Sequence, residues 1–238
     1  MASRIVQTLY HLAFLAVIYT SCTPLPKVVP QKPPIISSVS EIREQISLDS
    51  NQAMIPLKNI IPNLITDWKY ASYDNFTREI LYKTPEAFLR KEPAEALVKV
   101  NKEMNIIGLG IVLFDTYRPY RVTRKMWSIV PDERYAANPA KGSGHNRGAA
   151  IDLTLYDLKT GKTLDMGTGF DHFSDTAHHD FKALPEQVLQ NRQLLKQAMV
   201  KHGFIALSTE WWHYSWPDAA KRFPLMDLSF KDMKRLTR

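Results

Sequence analysis

The sequence predicts a single α+β domain with a mainly antiparallel central sheet flanked by helices. Segments with helical periodicity alternate with short apolar runs, a hairpin signal separates two of these runs, and no repeat or second linker divides the chain. Of the 238 residues, 45% are hydrophobic and 23% charged, so composition disfavours both a disordered and a membrane-spanning chain.

Three helices are predicted, because apolar residues recur at helical spacing between prolines and glycines that mark helix ends. They are residues 93–105, 120–130 and 185–202. Short apolar runs rich in branched and aromatic residues predict the strands. They are residues 109–114, 149–156, 163–166, 204–207 and 212–216. Thr160–Lys162 has the composition of a hairpin turn, after which 163–166 would return alongside the second strand.

The N-terminus has the pattern of an export signal. Residues 1–21 combine Arg4 with an apolar run at 12–18, as in a secretory signal peptide that is too short to span a bilayer. Cys22, the only cysteine, follows directly and resembles the lipidated cysteine of a bacterial lipoprotein. Ordinary cleavage beside an incidental cysteine is the alternative.

A Pro-rich tether is predicted over residues 22–39, because five prolines there favour extended backbone, and the folded domain is expected over 40–238. Lipidation and a tether together predict an exported, periplasmic protein anchored to the membrane. The formal net charge of +7 suits an anionic surface or polymer, whereas the basic residues are too scattered to indicate nucleic-acid binding.

Two short stretches supply the residue types of a catalytic metal site. One is the glycine-flanked stretch from His145 to Asp152, and the other, Glu-Trp-Trp-His, runs from Glu210 to His213. Two imidazoles and one carboxylate can hold a zinc ion and leave a position for water, while the second carboxylate accepts the proton of that water. A metal-bound base cannot also accept this proton, so we assign Glu210 as the base. The set predicts a metallohydrolase with its zinc site on the sheet, since Asp152 and His213 lie in predicted strands.

Single residues in this set have ordinary alternatives. Asp152 is also consistent with an exposed edge strand. Arg118, at the end of a predicted strand, could stabilise an oxyanion or form a surface ion pair with Asp115. Strict alternation would place Glu210 and His213 on opposite faces of a strand, so the chain must turn or bulge between them.

The combination resembles the zinc D-Ala-D-Ala dipeptidase family, the VanX-type dipeptidases of peptidase family M15. The motif Ser-x-His-x-x-Gly-x-Ala-x-Asp, which begins at Ser143, and the downstream Glu-x-x-His match that family. Residues 69–77, 115–119 and 151–156 also look like family segments. The resemblance covers about residues 55–230.

The resemblance implies zinc-dependent hydrolysis of D-alanyl-D-alanine to two D-alanine molecules, with one zinc ion per chain and a small dipeptide as the partner. It also implies specific residues. These are His145, Asp152 and His213 for zinc, Glu210 as catalytic base, Arg118 as oxyanion stabiliser, Tyr70 and Asp171 for the substrate amino group, and Ser143 for its carboxylate end.

Two alternatives differ in what the site does. A zinc D,D-carboxypeptidase or endopeptidase acting on longer peptidoglycan peptides would share the metal residues, but Tyr70 and Asp171 would close the site toward a free amine. A metal-stabilised binding module is disfavoured by Glu210, because a structural zinc site needs no spare carboxylate. The oligomeric state and the physiological role stay open.

Overall fold

The computed structural model of the chain describes residues 33–237. The predicted signal peptide, Cys22 and most of the predicted tether lie outside the described residues, so these remain predictions. Within the described part, no helix is both long enough and apolar enough to cross a membrane.

The described residues form the predicted α+β domain. The helices are α1 Val39–Leu48, α2 Lys91–Ile106, α3 Tyr120–Ile129, α4 Glu186–Lys201, α5 Ala219–Arg222 and α6 Phe230–Leu236. The strands are β1 Ile35–Ile36, β2 Met54–Pro56, β3 Ile65–Thr66, β4 Phe88–Arg90, β5 Leu109–Asp115, β6 Ala150–Asp157, β7 Ile205–Ala206, β8 His213–Ser215 and β9 Leu225–Met226. The central sheet has the order β3-β5-β6-β8-β7, and its neighbouring strands are antiparallel except β3 and β5.

The hydrophobic core lies where the two central strands meet the two long helices. Every residue of β5 is buried, and so are Ile151, Leu153 and Leu155, which alternate along β6. These side chains share one apolar cluster with Leu97 of α2 and Leu195 of α4. Burial of a large aliphatic side chain contributes about 1.5–3 kcal/mol, so this cluster fixes the sheet on which the polar residues of β6 are mounted.

A bulge in β5 aligns polar residues of three adjacent strands. The pairing register between β5 and β6 shifts by one residue at Phe114, so that Asp115 lies opposite Asp152. Asp152 in turn lies opposite His213 of β8. Without the bulge, the side chain of Asp115 would point to the other face of the sheet. Asp152 is therefore in a central strand, which excludes the edge-strand alternative.

The three predicted helices are confirmed as α2, α3 and α4, but the expected strand at 163–166 is reduced to a single bridge between Tyr156 and Thr163. Beyond this bridge the segment contacts α4, where the Arg192 side chain donates to the carbonyl of Met166 at 2.7 Å.

The fold begins before the predicted boundary at residue 40. Ile35 and Ile36 form β1, which pairs in parallel with β9. The Ser38 side chain accepts a backbone N–H in the first turn of α1 and completes a capping box. Residues 35–39 of the predicted tether thus belong to the domain. The proline-rich composition ends at Pro34, and a two-residue strand after it is too short to be recognised by periodicity.

Candidate metal centre and active site

His145 lies in a short 3-10 turn, His145–Arg147, that is tied to the segment after β5. The His145 carbonyl accepts the backbone N–H of Arg118 at 3.1 Å. The side-chain amide of Asn146 donates to the Arg118 carbonyl at 2.9 Å. Gly148 ends the turn with a φ of 67°, in the left-handed region that favours glycine. These contacts hold His145 at a fixed distance from Arg118.

The three predicted ligands converge on one point. His145 Nε2 lies 3.3 Å from Asp152 Oδ2 and 3.3 Å from His213 Nδ1. His213 Nδ1 lies 2.8 Å from Asp152 Oδ1. In the part of the chain that the structure describes, no other group of three or more His, Cys, Asp or Glu side chains has such a spacing.

Hydrogen bonds to the outer ring nitrogens orient both imidazoles. His145 Nδ1 lies 2.7 Å from the carbonyl of Thr116. Because a carbonyl only accepts, Nδ1 carries the proton and Nε2 has a free lone pair directed at the cluster. His213 is reversed, with Nε2 3.1 Å from Ser215 Oγ and Nδ1 directed at the cluster. The two histidines therefore offer different ring nitrogens.

Electrostatic coupling keeps Asp152 ionised. Burial alone would raise the pKa of Asp152, but the imidazoles of His145 and His213 hold that pKa below its ordinary value. Burial alone would lower the pKa of His213, and the Asp152 carboxylate outweighs burial and raises it. A buried carboxylate that stays ionised is well suited to bind a cation.

The donor set fits a divalent metal ion of the size of zinc. Zinc bonds of about 2.0–2.1 Å in tetrahedral geometry place the ligand atoms about 3.3 Å apart. The ligand atoms of the cluster are separated by 2.8, 3.3 and 3.3 Å. Three protein ligands leave one position free, which is the arrangement of catalytic rather than structural zinc sites.

Glu210 lies beside the cluster without joining it. Its Oε2 is 4.0 Å from His213 Nδ1. The predicted turn between these residues is confirmed, because the His213 N–H donates to the Glu210 carbonyl at 3.3 Å immediately before β8 begins. Burial raises the pKa of Glu210 above its ordinary value, which makes its carboxylate a stronger proton acceptor.

Arg118 is buried and paired with Asp115. Its guanidinium donates to Asp115 Oδ2 from Nε at 2.9 Å and from Nη2 at 2.7 Å. The other oxygen of Asp115 accepts the hydroxyl of Tyr82 at 2.9 Å. Burial alone would lower the pKa of Arg118, but Asp115 raises it well above its ordinary value. The surface ion pair considered from the sequence is thus a buried pair that holds a permanent positive charge in place.

Tyr70 and Asp171 meet at one end of the site. The Tyr70 hydroxyl donates to Asp171 Oδ1 at 3.2 Å, whereas Asp171 Oδ2 is buried and has no hydrogen-bond partner. Burial raises the pKa of Asp171 well above its ordinary value, and the carboxylates of Asp152 and Glu210 raise it further. A buried carboxylate oxygen without a partner is unfavourable until a cation or donor reaches it. This end of the site suits an ammonium group.

A cavity of about 280 Å³, here called the central cavity, joins these groups. Its lining includes all of the predicted metal, catalytic and substrate residues, namely Tyr70, Arg118, Ser143, His145, Asp152, Asp171, Glu210 and His213. Ser143 Oγ accepts the N–H of His145 at 3.2 Å, so the hydroxyl hydrogen is free to be donated into the cavity.

Some supporting residues do not follow from the sequence. Thr116 orients His145 through its carbonyl, and no sequence pattern marks a backbone acceptor. Ser215 and Asn146 act through side chains, and their positions beside His213 and His145 are the one signal that could have identified them. The sequence indicates Asp115 only as a possible surface partner of Arg118, whereas in the structure it is a buried acceptor for Arg118 and Tyr82.

Known proteins similar to this chain share one description. A family model described as D-Ala-D-Ala dipeptidase, of peptidase M15, matches residues 50–234. A D-alanyl-D-alanine dipeptidase of Escherichia coli (strain K12) is 38% identical over 173 residues, which are 73% of this chain and 89% of the relative. A D-alanyl-D-alanine dipeptidase of Enterococcus faecium is 36% identical over 178 residues, which are 66% of this chain and 88% of the relative.

Among solved structures, the LdcB LD-carboxypeptidase superimposes with a TM-score of 0.40 at 18% sequence identity. The superposition covers 71% of this chain and 70% of that chain.

Proposed function

The chain belongs to the D-Ala-D-Ala dipeptidase family of peptidase M15, and from that membership we propose that it hydrolyses D-alanyl-D-alanine to two molecules of D-alanine. The observation that supports the proposal most directly is the central cavity of about 280 Å³. It combines a His-Asp-His cluster, a free carboxylate, a buried guanidinium and an unpartnered acceptor for an amino group.

We propose zinc as the metal, held by His145, Asp152 and His213. The ligand spacing and the free lone pair on His145 Nε2 support this assignment. When bound, a zinc ion polarises a peptide carbonyl and lowers the pKa of a bound water.

Glu210 is the proposed general base. Its carboxylate lies 4.0 Å from the nearest ligand atom of His213, so it is close to the reacting atoms but is not engaged by the cluster. It accepts a proton from the attacking water as the new C–O bond forms. It then donates that proton to the leaving nitrogen, so that the peptide C–N bond breaks and the second D-alanine leaves with a neutral amine.

Arg118 is the proposed oxyanion stabiliser. As water adds to the peptide carbon, negative charge develops on the carbonyl oxygen, and a preorganised cation stabilises this charge without having to reorient. The two hydrogen bonds to Asp115 provide that preorganisation, because they fix the plane of the guanidinium.

The two ends of the dipeptide are recognised by groups whose hydrogen-bonding capacity is unfilled. The ammonium group meets Asp171 Oδ2, beside the Tyr70 hydroxyl, and the terminal carboxylate accepts the hydroxyl hydrogen of Ser143. A blocked or extended peptide offers Asp171 Oδ2 at most one neutral amide N–H in place of a charged ammonium group, which weakens the recognition of such peptides.

The proposal is tested by offering the zinc-loaded full-length protein D-alanyl-D-alanine and, separately, a stem pentapeptide ending in the same pair. Release of D-alanine is expected from the dipeptide only. Preferential cleavage of the pentapeptide would instead support a D,D-carboxypeptidase. No release from either peptide by protein that contains one zinc ion per chain would contradict both.

A further inference from the structure

A second and larger cavity lies directly behind the amine end of the central cavity. This outer cavity has a volume of about 610 Å³. Pairs of consecutive residues are divided between the two cavities, with the first member of each pair lining the outer one and the second lining the central one. These pairs are Lys69–Tyr70, Phe170–Asp171 and Trp211–Trp212. The two cavities therefore share a wall to which these residues contribute.

The ring of Phe170 fills the middle of this wall. Its centroid lies 5.6 Å from that of Tyr70 and 5.5 Å from that of Trp212, both of which line the central cavity. On the other side it lies 5.0 Å from Phe114, which lines the outer cavity. Asp171, the next residue, is the proposed acceptor of the substrate ammonium group. A peptide that extends from an amino group at Asp171 toward the outer cavity would therefore meet this ring.

The wall is held in position by hydrogen bonds from two other elements. Thr168 Oγ1 accepts the indole N–H of Trp211 at 2.8 Å. Arg192 of α4 donates to the carbonyl of Met166 at 2.7 Å. Asp171 ends the segment in the left-handed region with a φ of 55°, which directs its carboxylate and the Phe170 ring to different sides. Because of these hydrogen bonds, the wall is a fixed partition between the two cavities and not a closing lid.

We propose that Phe170 is a specificity-determining residue, which limits the substrate to two residues by separating the amine subsite from the outer cavity. This inference rests on the proposed dipeptidase function, and it identifies the residue that limits the length of the substrate. The substrate class that it excludes is a peptide with one or more residues added to the amino end of D-alanyl-D-alanine.

The outer cavity has the properties needed to hold such an extension once the ring is removed. Thr154 Oγ1 is buried there without a hydrogen-bond partner, and it can bind an extra peptide group. Asp165 lines the same cavity with an exposed carboxylate, which suits a terminal ammonium group, whereas Asp67 is paired there with Lys69 at 3.0 Å. The amide N–H of the extended peptide can still donate to Asp171 Oδ2 and so retain part of the original recognition.

The test compares wild-type protein with Phe170→Ala, both zinc-loaded and full-length, on D-alanyl-D-alanine and on glycyl-D-alanyl-D-alanine. The readout is the ratio of kcat/KM for the tripeptide to kcat/KM for the dipeptide, followed by release of D-alanine. We expect Phe170→Ala to raise this ratio by on the order of tenfold or more, because removing ring atoms opens a pocket to the extra residue. A folded Phe170→Ala protein with an unchanged ratio would overturn the proposal, as would a wild-type protein that cleaves both peptides equally well.

Two further variants make the result decisive. Phe204→Ala removes a buried aromatic ring that packs on Trp216 and lines neither cavity, so it should leave the ratio unchanged even if stability falls. If Phe170→Ala does not fold, Phe170→Leu keeps an apolar side chain and should raise the ratio by a smaller factor, and no rise would overturn the proposal. Failure of wild-type protein on the dipeptide would instead count against the proposed function.

Discussion

Glu210 and Asp171 are two partly buried carboxylates in one cavity, and their neighbours favour different roles for them. Glu210 Oε2 is 4.0 Å from a nitrogen of the His213 ring, which places it beside the candidate metal ligands. Asp171 is bonded to the Tyr70 hydroxyl through one oxygen and keeps the other unpaired. The first is therefore placed to exchange a proton and the second to receive a cation, since the surroundings of a carboxylate decide its role.

Replacement of Glu210 by Gln should remove catalysis without removing the metal. We expect kcat/KM for D-alanyl-D-alanine to fall by roughly 10²–10⁴-fold, because the amide cannot accept the proton of water. Zinc content, measured by atomic absorption, should stay at one ion per chain. Glu133→Gln is the matched control, because Glu133 lines the same cavity but is bonded to Lys141. A Glu210→Gln protein as active as the control would show that another group is the base.

The candidate metal ligands and Glu210 could be predicted from sequence because they occur in compact motifs around His145 and His213, whereas Tyr70 and Asp171 followed only from the family resemblance. Their orientations could not. Which nitrogen each ring offers depends on the Thr116 carbonyl and the Ser215 hydroxyl, and these neighbours are set by strand register and loop contacts rather than by local sequence.

At the scale of elements, the 3-10 turn that carries His145 ends at Gly148, whose backbone packs closely against the side chain of Met54. A Cβ atom there would lie 2.7 Å from Met54 Cε. Gly161, in the turn after β6, has a similar φ of +70° but has no atom within 4 Å of the position of a Cβ. Substitution at Gly161 therefore tests backbone strain alone, whereas substitution at Gly148 tests backbone strain together with a steric clash.

Gly148→Ala should destabilise the protein more than Gly161→Ala. Both substitutions force alanine into the left-handed region, at about 1–2 kcal/mol each. Gly148→Ala must also displace Met54, which adds about 1–3 kcal/mol by analogy with overpacked cores. The difference is measured by urea unfolding of the two variants, with zinc content as a second readout of the turn. Equal losses of unfolding free energy would mean that Met54 moves aside without cost.

Long elements could be predicted and short ones could not. α2 and α4 show helical periodicity over several turns, and β5 is a continuous apolar run. β1, β9 and α5 contain two to four residues each and exist only because the rest of the domain packs around them. The bulge at Phe114 could not be predicted either, because one extra residue in a buried apolar run does not change the composition of that run.

At the scale of the whole molecule, the metal cluster joins parts of the chain that are distant in sequence. His145 comes from the loop before β6, Asp152 from β6 itself and His213 from β8. A cation that binds all three stabilises only the folded chain, because the unfolded chain cannot bring these ligands together.

Removal of zinc should lower the stability of the protein as well as its activity. At a free zinc concentration of about 1,000 times the Kd, the folded state gains about 4 kcal/mol from binding. Chelation should therefore lower Tm, and added zinc should restore it. An Asp152→Asn variant is the control, because its weakened site should show little zinc-dependent change in Tm. An identical Tm with and without the chelator would show that metal binding does not contribute to the stability of the fold.

The pairing of Asp152 with His213 links metal binding to the alignment of β8 on β6. β8 has only three residues, so few backbone hydrogen bonds distinguish its native alignment from one shifted by a single position. Such a shift would turn His213 to the opposite face and leave the ion with two ligands. A bound ion would therefore favour the native alignment of β8 on β6 over the shifted one, in addition to the role in hydrolysis that we propose for it.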